Sequence, residues 1–335
     1  MGARDAIAKL LTGIKAFHSS PHDFDRFDLS KIGTGEGAQV YGHGLYFAEN
    51  PKVSGRGGRY WDQFLHKFSD VDERSAAEQL KAHGFDREAA IAASQKKIDD
   101  LRNWHPNEEA DYLARILGEE YTNAAIKQAE AEHAHLTSGR IVGPRTYEVN
   151  INADPAHMLN WDKTLDKQSV WDRIPGNVRD TIDELYDMRG LNAFSDAPEA
   201  YTGKDLHKAL THYETQEAFP SFPGENWDNA KVNAAGFLNQ VAGVPGIQYL
   251  DEVSRNLPDK IKALQFKVDT ASTPVAESIA RNQLQQLQRL TPTSNYVVFD
   301  PANVDIMKKY GVVGAPAGTI GMGALAGQDQ YEAPQ

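Results

Sequence analysis

Two short segments near the start of the chain combine residue types that suit the binding of a planar, partly polar ring. Residues 17–21 read FHSSP, so a histidine ends an apolar stretch and two serines follow it. Residues 41–49 read YGHGLYFAE and run from glycines into alternating aromatic residues. Both patterns predict strands whose ends converge on one cleft. Imidazole, hydroxyl and aromatic groups in this order suit the nicotinamide ring of NAD better than a metal ion.

The elements that must position these residues mix strand and helix signals irregularly. Residues 145–152, 246–251 and 296–301 have the composition of strands. Residues 70–138 carry apolar side chains at spacings of three, four or seven, which predicts a helical block. Further helices are predicted at 5–15, 177–188, 204–217, 229–241 and 275–290. A doubly wound sheet would alternate one strand with one helix, so the order favours an α+β domain with helical insertions.

Composition limits the classes of function. The chain has 335 residues, is 40% hydrophobic and carries a formal net charge of -12. It is long enough to bury a sizeable core, and its acidic balance disfavours general nucleic-acid binding. The absence of cysteine excludes disulfides and thiolate metal sites. The first residues lack the long apolar core of a signal peptide, so we expect an unsecreted product.

The C-terminal segment has a composition of its own. Residues 311–323 are small or apolar and carry no charge, and glycine recurs through residues 311–327. A membrane-spanning helix needs roughly 20 strongly apolar residues, and this run is shorter and interrupted by glycine. We expect a flexible Gly/Ala-rich tail over 311–335, the alternative being contact with a membrane or a partner.

The chain resembles the ADP-ribosyltransferase superfamily, on the diphtheria-toxin and poly(ADP-ribose) polymerase side. The resemblance rests on the order of FHSSP at 17–21, GLYFAE at 44–49 and SNYVVFD at 294–300. With YEVNINADP at 147–155 and GIQYLD at 246–251, it narrows to the transferase domain of polyvalent proteins from phages and mobile elements. The likeness covers the chain from about residue 16 to about residue 306.

That resemblance implies a particular fold and domain organisation. The fold would be a split pair of small antiparallel sheets around an NAD cleft, with large helical insertions. Residues 16–310 would form the transferase-like domain, with a helical insertion over about 66–140. A lead-in helix at 1–15 would precede the domain, and the tail at 311–335 would follow it.

The resemblance also assigns roles to residues of the first strand and its neighbour. His18 would position NAD by bonding the adenosine ribose. Ser19 stands where the family has a glycine whose backbone amide and carbonyl hold the nicotinamide carboxamide, and Ser20 keeps the hydroxyl that follows. Tyr46 corresponds to the aromatic residue that stacks on nicotinamide and holds the leaving group in line.

Three further residues complete the expected site. Ser54 and Tyr60 are the candidates for a carboxamide-binding serine and a second stacking tyrosine, in a loop that GRGG at 55–58 lengthens. Asn295 occupies the place of a glutamate that stabilises the departing oxocarbenium in polymerase-like members. An amide can hold a ribose hydroxyl but supplies neither negative charge nor a base, so chain elongation is not expected.

The resulting expectation is a phage-type, NAD-dependent mono-ADP-ribosyltransferase that modifies a host macromolecule, with protein as the favoured target. NAD would be a substrate, and no metal is expected. The protein would act in the host cytoplasm, either made there or delivered from the virion, where other virion proteins would be its partners. The alternatives are a weak or inactive structural or co-injected phage protein that keeps the transferase fold, and an NAD-hydrolysing toxin.

Several other motifs admit structural explanations. Glu148 and Glu252 are carboxylates in neighbouring segments, and neither is at the position of the family's catalytic glutamate.

Residues 33–37 (GTGEG) lack the Gly-Lys-Ser/Thr of a phosphate loop, so we interpret them as a flexible loop beside the cleft. His133 and His135 lie on different helix faces and do not predict a metal site. Asp251, Ser254 and Arg255 fit a helix cap and an ion pair at least as well as a substrate site: they are left out of the catalytic set.

Overall fold

The computed structural model describes residues 13–32, 39–104, 112–212 and 230–310. Within these residues the chain is an α+β protein with one seven-stranded mixed sheet. The strands are β1 (Ile14–Ser20), β2 (Leu45–Ala48), β3 (Arg145–Ile151), β4 (Leu159–Asn160), β5 (Gly246–Leu250), β6 (Ser294–Val298) and β7 (Val304–Tyr310). The α+β class predicted from the sequence is therefore confirmed.

The described helices fall into three groups along the chain. The first comprises α1 (Pro51–Ser54), α2 (Arg59–Leu65), α3 (Val71–Ala82), α4 (Arg87–Arg102) and α5 (Tyr112–Thr137). The second comprises α6 (Val170–Arg173), α7 (Gly176–Asp187), α8 (Gly203–His212) and α9 (Ala230–Gln240). The third is a helical hairpin between β5 and β6, formed by α10 (Glu252–Asp269) and α11 (Pro274–Gln288). No helix in the described part of the chain is long and apolar enough to cross a membrane.

The sheet order is β4-β5-β6-β2-β1-β3-β7. All neighbouring strands are antiparallel except β4 and β5, which are parallel. The prediction of two small antiparallel sheets is therefore wrong in detail, because the strands join into one sheet with one parallel pair. The pairing between β1 and β2 is limited to Phe17 and Ala48, whereas β1 pairs with β3 along its whole length.

Side chains alternate between two cores on opposite faces of the sheet, as they must in extended strands. On β2, Phe47 belongs to a core shared with β1, β3 and β6, whereas Tyr46 packs against the core under α6, α7, α8 and α9. On β6, Tyr296 and Val297 separate in the same way. This alternation decides which predicted site residues share a face.

The helical block predicted over residues 66–140 contains α3, α4 and α5. Asp70 and Asp86 cap α3 and α4 by accepting backbone N–H groups of their first turns. The block has its own core and is tied to the sheet by Trp61, whose indole N–H donates to the carbonyl oxygen of Pro144 at 2.7 Å. It therefore stands beside the sheet rather than within it.

The N-terminal boundary differs from the sequence-based expectation. The lead-in helix was predicted over 1–15, but Ile14 and Lys15 belong to β1 and pair with Ile151 and Asn150 of β3. Burial of Ile14 in the sheet core favours strand over helix at this point. The remainder of the predicted lead-in helix, residues 1–12, and the tail at 311–335 lie outside the described residues.

Gly246 lies where the backbones of β5 and β6 approach each other closely. A Cβ there would lie 2.2 Å from the carbonyl oxygen of Val297, so alanine cannot fit without moving the strand backbone. We expect Gly246→Ala to lower the free energy of unfolding by about 1–3 kcal/mol. Gly176→Ala is the matched control, because no heavy atom lies within 4 Å of its Cβ position. Urea denaturation measures both, and equal stability of the two variants would contradict the packing.

Candidate active site

The incomplete pairing of β1 and β2 leaves a gap that Ser19 and Ser54 fill. The backbone N–H of Ser19 donates to Ser54 Oγ at 3.1 Å, and Ser19 Oγ donates to the carbonyl oxygen of Ser54 at 2.9 Å. Both residues are buried. The short helix α1, which ends at Ser54, thus satisfies a strand N–H group that a neighbouring strand would otherwise bind. The structure therefore brings Ser19 and Ser54, two of the predicted site residues, into direct contact.

His18 is fixed by its bond to the backbone of Tyr46. Its Nδ1 lies 2.9 Å from the carbonyl oxygen of Tyr46, which only accepts, so Nδ1 carries the proton and Nε2 carries a lone pair. No residue in the described part of the chain hydrogen-bonds Nε2. Desolvation by burial lowers the pKa of His18 more than the backbone bond raises it, which favours the neutral ring.

Four aromatic rings surround the imidazole of His18. They belong to Phe24, Phe27, Phe47 and Tyr147, with centroids 5.2 to 6.3 Å from that of His18. The ring therefore lies on the sheet face opposite Tyr46, although its Nδ1 reaches the backbone of that residue. A structural histidine would have the same surroundings.

Tyr46 is held as a neutral phenol next to the gap. Its hydroxyl donates to the carbonyl oxygen of Gly42 at 2.7 Å and accepts from the N–H of Tyr41 at 3.2 Å. Desolvation by burial raises the pKa of Tyr46 far above its ordinary value, and the nearby hydroxyls of Tyr41 and Tyr60 add to the rise. With both hydroxyl bonds made, the ring has a fixed orientation.

Tyr60 and Asn295 are brought to the same face as Tyr46, and Tyr249 connects them. Asn295 lies opposite Tyr249 in the β5–β6 register and opposite Ala48 in the β2–β6 register. Its side chain hydrogen-bonds the Tyr249 hydroxyl, whose pKa burial and the neighbouring tyrosines raise strongly. Asn295 Oδ1 is buried and, within the described residues, has no hydrogen-bond partner. We name Tyr46, Tyr60, Tyr249 and Asn295 the tyrosine cluster.

The loop before Tyr60 explains its position. GRGG at 55–58 separates α1 from α2, and Gly57 turns the chain with a φ of 71°. Tyr60 consequently sits in the first turn of α2 and is 37% exposed. Its hydroxyl lies close enough to Tyr46 and Tyr249 to raise the pKa of both.

Tyr41 and Tyr249 are site neighbours that sequence reasoning missed. Their rings stack with centroids 3.7 Å apart and an interplanar angle of 11°. The signal available was the alternation in residues 246–251, which places Ile247 and Tyr249 on one face of a predicted strand. Nothing in local sequence connects that strand with residue 41.

The remaining predicted residues lie apart from this arrangement or serve the backbone. Ser20 is buried, and its Oγ accepts the N–H of His22 at 3.1 Å, which stabilises the turn after β1. Asp251 caps α10 by accepting the Ser254 N–H at 2.7 Å, and Thr293 donates to its other oxygen. Burial would raise the pKa of Asp251, but these hydrogen bonds outweigh it and the pKa is lowered. Arg255 lies 3.6 Å from Asp162, and it also donates to the Tyr41 hydroxyl at 2.7 Å and so adjoins the tyrosine cluster. Ser20 and Asp251 bond the backbone, and the loop at 33–37 lies outside the described residues, which resume at 39.

The two alternative carboxylates have different surroundings. Glu148 forms an ion pair with Lys15 at 2.9 Å and accepts a hydrogen bond from Tyr310 on the β3–β7 side of the sheet. Glu252 forms an ion pair with Arg59 at 2.8 Å, next to Tyr60. Only Glu252 therefore adjoins the tyrosine cluster.

Each histidine of the α5 pair has a polar side chain of its own as a neighbour. His133 Nδ1 lies 2.7 Å from Ser94 Oγ, and His135 Nε2 lies 3.7 Å from Asp70. The described residues contain no group of three or more His, Asp or Glu side chains that could hold a metal ion.

Comparison with protein-family models, with curated proteins and with solved structures finds no match to this chain.

The lowered pKa of His18 predicts a pH dependence of stability. The unfolded chain takes up a proton near pH 6.5 that the folded imidazole resists, so stability is complete above about pH 6.5 and falls below it. The slope from this group is at most about 1.4 kcal/mol per pH unit. His18→Asn, whose amide can still donate to the Tyr46 carbonyl, should lack this slope. Denaturant unfolding from about pH 5 to about pH 7.5 measures it, and parallel curves for the two proteins would disprove the assignment.

Proposed function

We propose that this chain is an NAD-dependent mono-ADP-ribosyltransferase of the kind carried by phage polyvalent proteins, and that it modifies a host protein. The observation that carries the proposal is the gap between β1 and β2. There the Ser19 N–H and the Ser54 hydroxyl meet, and His18 and Tyr46 are joined by a hydrogen bond. The proposed fold is the transferase fold, with His18, Tyr46 and Asn295 on the adjacent strands β1, β2 and β6.

The Ser19–Ser54 contact offers what a carboxamide needs. A carboxamide oxygen can take the Ser19 N–H when Ser54 Oγ rotates to donate to it, since a serine hydroxyl both donates and accepts. The serine that replaces the family's glycine does not obstruct this exchange, because Ser19 Oγ is drawn to the carbonyl oxygen of Ser54. Nicotinamide would then lie next to the rings of Tyr46 and Tyr60 and stack on them.

The ribose hydroxyls of NAD would find hydrogen-bond acceptors on both sides of the gap. The lone pair of His18 Nε2 can accept a ribose hydroxyl, since Nδ1 holds the ring proton. Asn295 Oδ1 is buried without a partner among the described residues, and a ribose hydroxyl would satisfy it. Because an amide carries no charge, this site supports one transfer rather than chain elongation.

The first experiment follows both products of NAD cleavage. The purified protein is incubated with NAD labelled in its adenylate portion and with host lysate, and free nicotinamide and labelled macromolecules are measured. We expect labelled protein, and a loss of about tenfold or more in Tyr46→Ala because ring stacking is removed. Tyr60→Ala, at an exposed position, should show the same loss without disturbing the core. Tyr121→Ala, 79% exposed on α5, is the matched control.

The other outcomes select among the alternatives. Nicotinamide release without labelled protein would replace the transferase by an NAD hydrolase. Failure of the wild-type protein to release nicotinamide or to label any macromolecule would overturn the enzyme proposal, and leave a phage structural or co-injected protein that keeps the fold. Equal activity of Tyr46→Ala and Tyr121→Ala would place the chemistry elsewhere in the chain.

Restoring a carboxylate at residue 295 tests the role of charge at the leaving-group step. We expect Asn295→Glu to raise the rate of nicotinamide release by about tenfold or more, because a negative charge there stabilises the developing oxocarbenium. Asn295→Gln is the control, since it has the length of glutamate without the charge. Initial rates of nicotinamide release compare the three proteins. Equal rates for the Glu and Gln variants would show that charge at residue 295 does not act on this step.

A further inference from the structure

An ion pair connects two elements at the edge of the tyrosine cluster. Arg59 Nη1 lies 2.8 Å from Glu252 Oε2 and joins the first residue of α2 to the first residue of α10. The guanidinium also lies 5.4 Å from the centroid of the Tyr60 ring and hydrogen-bonds the side chain of that residue. The pair therefore borders the place where, under the proposed function, nicotinamide would stack.

The other carboxylates at this end of the sheet already have partners. Asp251 is buried and accepts hydrogen bonds from Thr293 and Ser254. Glu49 accepts the backbone N–H of Ser294 at 2.9 Å and so joins β2 to β6. Removing either residue from its bonds would disturb the strand ends that carry Tyr46 and Asn295.

Glu252 differs from them in exposure and in the nature of its partner. Its side chain is 69% exposed, and Arg59, itself 57% exposed, is its one ionic partner within the described residues. An exposed ion pair of this kind contributes only about 0–1 kcal/mol, so the carboxylate can leave it at little cost. Glu252 is therefore the carboxylate beside the cluster that can turn toward a reacting group without unfolding the site.

We propose that Glu252 is the base that takes the proton from the acceptor hydroxyl, an inference that rests on the proposed function. The bond between ribose C1′ and the nicotinamide nitrogen breaks, and its electron pair leaves with neutral nicotinamide. The acceptor oxygen bonds to C1′ and its proton passes to the Glu252 carboxylate. The acceptor is a hydroxyl, of a protein side chain or of water, because a hydroxyl must lose its proton when its oxygen bonds to C1′ and therefore needs a base. Asn295 cannot perform this step, since an amide is not a base.

Arg59 is a positioning residue in this proposal. It holds the carboxylate at the edge of the cluster while no acceptor is bound, and its contact with Tyr60 sets where the pair lies relative to nicotinamide. The proposal therefore separates two roles that a single glutamate would combine: Asn295 holds the ribose, and Glu252 receives the acceptor proton.

The test separates NAD binding from turnover in single and double variants. The dissociation constant for NAD is measured by titration, and turnover by nicotinamide release, with free ADP-ribose and labelled lysate protein as products. We expect Glu252→Gln to leave NAD affinity within about twofold while turnover to both products falls by about 10²–10⁴-fold. Glu277→Gln is the matched control, because it removes the exposed Arg281–Glu277 pair on α11.

The double variant Arg59→Gln/Glu252→Gln distinguishes a base from a charge that merely neutralises Arg59. If Glu252 is the base, the double variant stays as inactive as Glu252→Gln. Recovery of turnover in the double variant, or full turnover in Glu252→Gln, would overturn the inference while leaving the transferase proposal intact. An inactive wild-type protein would overturn both the transferase proposal and the role of Glu252. The wild-type protein is therefore assayed before the variants are compared.

Discussion

The arrangement of the candidate site depends on one constraint, the loss of strand pairing between β1 and β2 beyond Phe17 and Ala48. A strand that loses its neighbour must find other partners for its buried backbone groups. Here Ser54 supplies one, as its hydroxyl accepts the Ser19 N–H. The bond requires α1 to follow β2 directly, which in turn sets where the GRGG turn begins and where Tyr60 emerges. A hydrogen bond between a backbone N–H and a serine hydroxyl thus replaces strand pairing here, in a sheet that is otherwise continuous.

Under the proposed function, the same gap would let one ligand contact residues on opposite faces of the sheet. Alternation along the strands separates the imidazole of His18 from the ring of Tyr46. The bond from His18 Nδ1 to the Tyr46 carbonyl crosses between the two strands and fixes the tautomer. A ligand lying across the gap would meet the lone pair of Nε2 on one side and the tyrosine cluster on the other. In a fully paired sheet the backbone ladder would separate these groups.

The sequence allowed the principal elements and part of the site to be predicted. The strand at Tyr147 was recognisable because its residues alternate, and the strands at Tyr249 and Tyr296 were recognisable as short apolar runs. The helical block was recognisable from the spacing of its apolar residues. The edge strand β7 was missed because Lys308 and Lys309 interrupt the apolar pattern, although its pairing with β3 stabilises it. The Arg59–Glu252 contact spans 193 residues, and the stacking of Tyr41 on Tyr249 is also long-range. Such contacts follow from sheet order, which no local pattern encodes.

The electrostatics of the tyrosine cluster give a reason for an amide at residue 295. Burial raises the pKa of the Tyr46 and Tyr249 phenols, so this environment disfavours negative charge. A carboxylate at residue 295 would bear the same desolvation cost until the oxocarbenium developed beside it, whereas Glu252 keeps its charge in solvent and next to Arg59. This packing therefore stabilises an uncharged amide at residue 295 inside the cluster and a carboxylate, that of Glu252, at its edge. Under the proposed chemistry, it favours proton removal from an incoming hydroxyl over charge stabilisation in the interior.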